Sequence, residues 1–314
     1  MLSFLPSPLL GLFTAALICL NTAFWFSLFL PFMLLKLLPI KALQTFCARG
    51  LIPLAESWVR CNSLILHLTQ QTRWDVQGLE NLDPKASYLV ISNHRSWTDI
   101  FVLQHIFQGR IPFLKFFLKK ELIWVPLLGL AWWALDFPFM QRYSRAFLEK
   151  HPHLRGKDME TTQKYCARYK HYPVSVINFL EGSRFTPAKQ KARQSVYQHL
   201  LNPKAGGVAL TLSSLGDYLQ QVLDVTILYP QNRPKNIFWC LLSGKIPEVV
   251  VRVRALPVPA GVMDRDYLND ETFRSEIQNW VNSLWQHKDA QIEALLNPAE
   301  SEAPAIAHQA GLKA

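Results

Sequence analysis

The stretch SYLVISNHRSWTDIFVLQHIF, Ser87 to Phe107, decides how the rest of the chain is read. Ser87–Ser92 is a short, continuous apolar run, as expected of a strand buried on both faces. Trp97–Phe107 reads as a helix. Between them lie His94 and Asp99. On one straight helix, side chains five residues apart point ~140° away from each other. Across a strand-to-helix turn the two can meet. An Asp that accepts a hydrogen bond from one imidazole nitrogen fixes the tautomer and leaves the other nitrogen free as a base. Such a base needs no serine or cysteine nucleophile if the substrate brings its own hydroxyl. The residues alone also allow a plainer reading, with Asp99 capping the helix and His94 a satisfied polar side chain.

Further strands are expected at Ser175–Leu180, Asp224–Tyr229 and Glu248–Ala255, all rich in β-branched residues. Helical stretches fall between them, near Asp158–Tyr169 and Val208–Leu219. A last helix is expected from Glu271 to Leu296. Asp270 would be its N-cap, and Phe273, Ile277, Trp280, Leu284 and Ile292 its stripe. Strands alternating with helices imply an α/β fold with a mixed, mostly parallel sheet covered by helices. Open sheets of this kind carry their sites where strands end.

Two more blocks follow that rule. Glu181-Gly182-Ser183-Arg184 comes directly after a strand. Gly182 permits a sharp turn, and Arg184 offers a planar fork of donors suited to phosphate. A surface loop with a solvated Glu–Arg pair would read the same way. Lys119, Lys120 and Arg142 bracket an apolar, aromatic stretch that includes Trp124, Trp132 and Trp133. A cationic rim beside an apolar trough suits an amphiphile with an anionic head, and ordinary core beside surface lysines has the same pattern.

The chain of 314 residues carries 33 Lys plus Arg against 23 Asp plus Glu, a formal charge of +10. That balance points to an anionic partner: nucleic acid, phospholipid headgroups or a phosphorylated substrate. Residues 1–35 contain no charged side chain, which turns the reading away from nucleic acid. Leu9–Leu30 is long enough to cross a bilayer, for which ~20 apolar residues suffice, and Pro31 marks an expected end or kink. No basic residue precedes the run, unlike a cleavable signal peptide, so a retained anchor is expected. Asn21 offers a polar break, which leaves a spanning helix and a re-entrant hairpin both open. Lys36, Lys41, Arg49 and Arg60 follow the run and put the remainder on the cytoplasmic side. The five cysteines are scattered without a C-x-x-C pair, which fits a reducing compartment and no zinc site. No G-x-S-x-G, G-x-G-x-x-G, P-loop or H-E-x-x-H occurs.

Together, Asn93-His94-Arg95-Ser96-Trp97-Thr98-Asp99, the Lys–Gly–Arg block and Glu181-Gly182-Ser183-Arg184 resemble the glycerolipid acyltransferases of the lysophosphatidate acyltransferase (PlsC) family. The signature there is Asn-His-x-Ser-x-x-Asp followed by Glu-Gly-Thr-Arg. The resemblance spans about Trp74 to Pro230, and Lys120-Glu121-Leu122 and Phe139–Arg145 look like its bacterial YihG-type branch. It implies a glycerol-3-phosphate acyltransferase-like fold with N-terminal membrane-embedded helices. His94 would then be the general base and Asp99 its orienting partner. Arg142 and Arg184, with Lys120 in support, would hold the acceptor phosphate, and Glu181, Gly182 and Ser183 would shape that pocket. The implied reaction moves an acyl chain from acyl-CoA or acyl carrier protein, as co-substrate, to the free hydroxyl of 1-acylglycerol-3-phosphate. It needs no metal or redox cofactor. Other implied partners are the phospholipid bilayer and a lysophospholipid acceptor, with no nucleic acid, at the cytoplasmic face of the cell inner membrane.

The chain departs from the family pattern at three places. Ser183 stands for Thr, Leu180 stands where Pro is common, and Ile227-Leu228-Tyr229-Pro230 follows Thr226. A lysocardiolipin-like acceptor and a non-catalytic, membrane-anchored lipid-binding protein are the alternatives. The expected organisation is an anchor (1–40), an amphipathic membrane-proximal segment (41–72), an acyltransferase domain (73–262), a C-terminal helix (263–296) and a flexible tail (297–314).

Overall fold

The computed structural model describes residues 5–140, 150, 157–170, 172–230, 236–267 and 269–297. Helices α1 (Ser7–Lys36) and α2 (Lys41–Thr69) form an antiparallel hairpin. Its register is fixed by Asn21, whose side-chain amide donates to the Trp58 carbonyl at 3.2 Å and to Asn62 Oδ1 at 2.9 Å. Two expectations are corrected here. Asn21 is a cross-helix clamp and not a break. Pro31 does not end the helix, which continues to Lys36. Phe29 and Met33 pack into the core on either side of Pro31, and that packing outweighs the one hydrogen bond a proline removes.

At ~1.5 Å per residue, α1 is about 45 Å long, enough to cross a membrane. It nevertheless touches the rest of the protein at both ends. Gly11 lies so close to Trp239 and Ser243 that a Cβ there would come within 2.9 Å of the indole. At the other end, buried Lys36 pairs with Asp136 at 2.9 Å and donates to the Ala134 carbonyl at 2.5 Å. The helix therefore lies along the domain instead of projecting from it. Its outer flank, including Leu12, Leu20, Phe24 and Leu34, is exposed. In α2 the inner stripe of Leu51, Ala55, Val59 and Leu66 is buried, so this segment packs on the domain.

The domain runs through β1 (Arg73–Gln77), β2 (Tyr88–Ser92), α3 (Thr98–Phe107), β3 (Leu114–Phe116), β4 (Leu118–Lys119), α4 (Leu128–Ala134), β5 (Phe139–Met140), α5 (Lys157–Tyr169), β6 (Ser175–Phe179), α6 (Pro187–Ala192), α7 (Gly206–Leu215), β7 (Gln221–Leu228), α8 (Ile237–Leu242), β8 (Glu248–Leu256) and α9 (Glu271–Leu296). Six strands form one sheet in the order β1-β8-β7-β2-β6-β3, with only β7–β8 antiparallel. Strands β4 and β5 form a separate parallel pair. This is the mixed, mostly parallel sheet expected, flanked by helices on both faces.

Side chains alternate across the sheet. Tyr88 and Val90 of β2 join the core beneath α1–α4 and α8, while Leu89 and Ile91 join the core beneath α5, α7 and α9. Helix α9 starts where expected, with Asp270 accepting from the Phe273 N–H at 2.8 Å. Its stripe shifts slightly: Val281 and Trp285 are buried, and Trp280 is only half-buried. Strands β1, β3, β4 and β5 add to those read from the sequence. The expected tail, beyond Asn297, lies outside the described residues.

Candidate active site

Strands β7, β2 and β6 are parallel neighbours, so their C-terminal ends share one edge of the sheet. The turn after β2 is fastened to β7 by Asn93. Its amide donates to the Ile227 carbonyl at 2.9 Å and accepts from the Ile227 N–H at 2.8 Å, as a strand backbone would. Beyond it the chain turns into α3 and brings His94 Nδ1 to 2.8 Å from Asp99 Oδ2. The same oxygen accepts from the backbone N–H of Arg95 at 2.6 Å and of Ser96 at 2.9 Å. Asp99 therefore acts as cap and imidazole partner together, and the two readings of the sequence do not compete. Its other oxygen accepts from the Tyr229 hydroxyl at 2.7 Å.

Asp99 is fully buried, while the His94 side chain is 15% exposed. The imidazole stacks on Phe179 with ring centroids 4.1 Å apart, and Phe116 stacks on the far side of Phe179 at 6.2 Å. This row gives the base an apolar floor. With Asp99 accepting from its other donors, the hydrogen of the 2.8 Å contact sits on Nδ1. The lone pair is then on Nε2.

Glu181 locks this turn to the loop after β6. One carboxyl oxygen accepts from the His94 N–H at 2.8 Å and the other from the Leu201 N–H at 3.0 Å. The two loops also pair directly, Phe185 N–H donating to the His94 carbonyl at 2.7 Å. Both oxygens of Glu181 are thus spent on the protein backbone, and the side chain is buried. Gly182 sits at φ 64°, a left-handed turn that a side chain would strain. The buried Ser183 hydroxyl has no hydrogen-bond partner among the described residues.

Exposed Arg184 lies over the Trp97 ring at 5.6 Å and lines a cleft of about 930 Å³ beside the motif turn. Lys120, also exposed, opens a 3-10 turn after β4 and does not line that cleft. Arg142 lies outside the described residues. The sequence reading missed Tyr229, Phe179 and Arg95. Tyr229 had left a trace, because it falls in one of the three places that depart from the family pattern.

Comparison with known proteins shows the family of the chain. The family model described as acyltransferase matches residues 73–229, half of the chain, and the chain belongs to that family. Rat 1-acyl-sn-glycerol-3-phosphate acyltransferase delta is 28% identical, the match covering 66% of this chain and 54% of the relative. Zebrafish lysocardiolipin acyltransferase 1 is 27% identical over 88% of this chain and 70% of its own length. The chain spans little more than half the length of the first relatives it matches, 54% in the rat protein and 59% in an Arabidopsis thaliana 1-acyl-sn-glycerol-3-phosphate acyltransferase. The crystal structure of the Thermotoga maritima lysophosphatidate acyltransferase PlsC shares the fold, with a TM-score of 0.54, 15% identity and coverage of 92% of this chain and 97% of that one.

Burial pushes the Glu181 carboxyl up to about 7 from 4.5, against the pull of its two backbone donors and of Arg95. The folded chain therefore holds this proton more tightly than the unfolded chain. The stability it confers is complete below pH 4.5 and is lost as pH rises through about 7. Glu181→Gln removes this titration. Between pH 5 and 7 the variant's unfolding free energy should fall less steeply than the wild type's, by up to about 1.4 kcal/mol per pH unit. Denaturant unfolding at several pH values measures it, and parallel slopes contradict it.

Proposed function

We propose that the protein is a membrane-bound O-acyltransferase that acylates the free hydroxyl of 1-acylglycerol-3-phosphate to give phosphatidate. The observation that carries this reading is the 2.8 Å contact between His94 Nδ1 and Asp99, which leaves Nε2 free at the edge of the site. His94 Nε2 takes the hydroxyl proton as the oxygen attacks the thioester carbonyl. The C–S bond breaks, and the imidazolium returns the proton to the departing thiolate. Asp99 supports the imidazolium, and Tyr229 with two backbone N–H groups holds Asp99 in place. A thioester is already an activated acyl group, so the scheme draws on no metal or redox cofactor. Arg184, with the neighbouring Arg95, receives the acceptor phosphate, supported by Lys120 and Arg142.

The zebrafish relative covers the larger share of this chain, which favours a second reading with the same chemistry and a lysocardiolipin-like acceptor. Within the family, the blocks around Lys120 and Arg142 support the bacterial YihG-type branch. The uncharged residues 1–35 and the exposed apolar flank of α1 support residence in the cell inner membrane. The contacts of α1 at both ends favour a hairpin embedded from the cytoplasmic side over a helix standing free of the domain.

Acyl transfer by the purified protein, followed as thiol release across a panel of donors and lysolipid acceptors, tests the chemistry. His94→Ala should lower kcat by about 10³-fold, within the usual worth of a general base. Asp99→Asn should cost at least about 10²-fold, and Tyr229→Phe, which removes one buried hydrogen bond, about tenfold or less. Wild-type turnover by His94→Ala sinks the proposal. For the membrane, replacing Leu12, Leu20, Phe24 and Leu28 by Gln leaves the buried flank untouched. It should cut the vesicle-bound fraction at least about tenfold in flotation, because each side chain gives up ~1.5 kcal/mol or more of apolar transfer. Undiminished flotation contradicts it.

A further inference from the structure

Helix α9 grips the loop on which Glu181 depends. Residues 193–205, between α6 and α7, form neither helix nor strand. Their backbone groups therefore need partners from elsewhere. Both carboxyl oxygens of Asp289 accept, one from the Gln198 N–H and the other from the His199 N–H, each at 2.8 Å. The Trp285 indole N–H donates to the Leu201 carbonyl at 3.1 Å. Glu293 meets the His199 ring at 2.5 Å, and the Gln278 amide donates to the Pro203 carbonyl at 3.3 Å. At 3.6 residues per turn these side chains centre about 100° round the helix from the stripe of Phe273, Ile277, Val281, Leu284 and Ile292. One face of α9 closes the core, and the next holds the loop. Covering the sheet requires only the first.

The loop in turn presents one donor to the site. The Leu201 N–H donates to one Glu181 oxygen at 3.0 Å, and the other oxygen accepts from the His94 N–H at 2.8 Å. The path from Asp289 to the motif turn is thus a short series of hydrogen bonds joined by a few residues of loop. Releasing its first link lets the Leu201 donor drift and leaves a buried carboxyl group short of a partner. Reaction geometry tolerates little of this: a misplacement of about 1 Å can cost about 10²-fold in rate.

We propose that Asp289 is a positioning residue for acyl transfer: by clasping the Gln198 and His199 backbone it keeps the Leu201 donor on Glu181, and through Glu181 it sets the His94 backbone. Asp289 acts only through other groups. It lies beyond residues 73–229, the part of the chain that the family model matches. The proposal rests on the acyltransferase reading, and an exchange measurement that needs no substrate separates the two.

The test uses the full chain in detergent. Asp289→Ala should lower kcat about tenfold or more and leave KM for lysophosphatidate within about threefold. Asp289→Asn keeps an acceptor for one of the two N–H groups and should lower kcat only about threefold. Ser283→Ala, at an exposed position of the same helix, should change neither. In a Glu181→Gln background, Asp289→Ala should cost about threefold or less, because the two residues act in series. Damage unrelated to Glu181 would cost the same factor in both backgrounds. Hydrogen exchange followed by mass spectrometry should quicken at residues 93–99 as well as 197–203 in Asp289→Ala, with β2 unchanged. An unchanged kcat, an equal cost in both backgrounds, or quicker exchange confined to 197–203 each overturns the proposal. Quicker exchange that includes β2 in both Asp289 variants also overturns it and assigns Asp289 to stability alone. Quicker exchange at 93–99 and 197–203, in a chain whose wild type transfers no acyl group, would uphold the link and reject the acyltransferase reading.

Discussion

Asp99 receives four hydrogen bonds, from the His94 ring, the Arg95 and Ser96 backbone and the Tyr229 hydroxyl. A buried carboxyl group is costly unless its lone pairs are met, and this one is met from every side. The arrangement ties the end of β2, the start of α3 and the end of β7 to a single side chain. It also fixes which nitrogen of His94 holds the hydrogen. Structure and chemistry are coupled at this point: a change that loosened Asp99 would open the turn and spoil the base together.

Glu181 plays the matching role on the other flank. Its oxygens join the backbone of His94 to that of Leu201, across 87 and 20 residues of chain. The loops after β2 and β6 are thereby tied to each other, which holds the backbone of the Arg184 loop beside the motif turn. Phe179 under the imidazole completes the support. Two acidic residues that look like reagents in the sequence thus work through backbone N–H groups. The side chains that line the cleft include Trp97, Arg184 and Phe185, and His94 stays partly exposed beside it.

Much of this was legible in the chain of residues. The runs at Tyr88–Ser92, Ser175–Phe179 and Glu248–Leu256 are rich in apolar and β-branched residues, as strands of a covered sheet are. The cap at Asp270 and the stripe of α9 were equally plain, because helix ends and periodicity are local signals. Strand β1 was not legible, since it pairs with β8 some 175 residues away and its Arg252–Asp75 ion pair exists only in three dimensions. Strands of two or three residues such as β3, β4 and β5 carry too few positions to show a period. The course of α1 past Pro31 depends on packing against α2 and the domain, which no single segment encodes. At the site, the motif residues His94 and Asp99 could be named from spacing around a turn. Tyr229 could not, because its contact with Asp99 joins residues 130 positions apart. Glu181 was named, but its partners are backbone groups that leave no trace in residue identity.

The central claim is that Asp99 fixes the tautomer of His94. Nitrogen-15 NMR of the imidazoles, with the His94 signals assigned by their loss in His94→Gln, reads this directly. The wild-type His94 ring in its neutral form should carry its proton on Nδ1, with Nε2 unprotonated, and Asp99→Asn should shift the ring toward the other tautomer. A wild-type ring protonated on Nε2, or a tautomer unchanged by Asp99→Asn, would contradict the account.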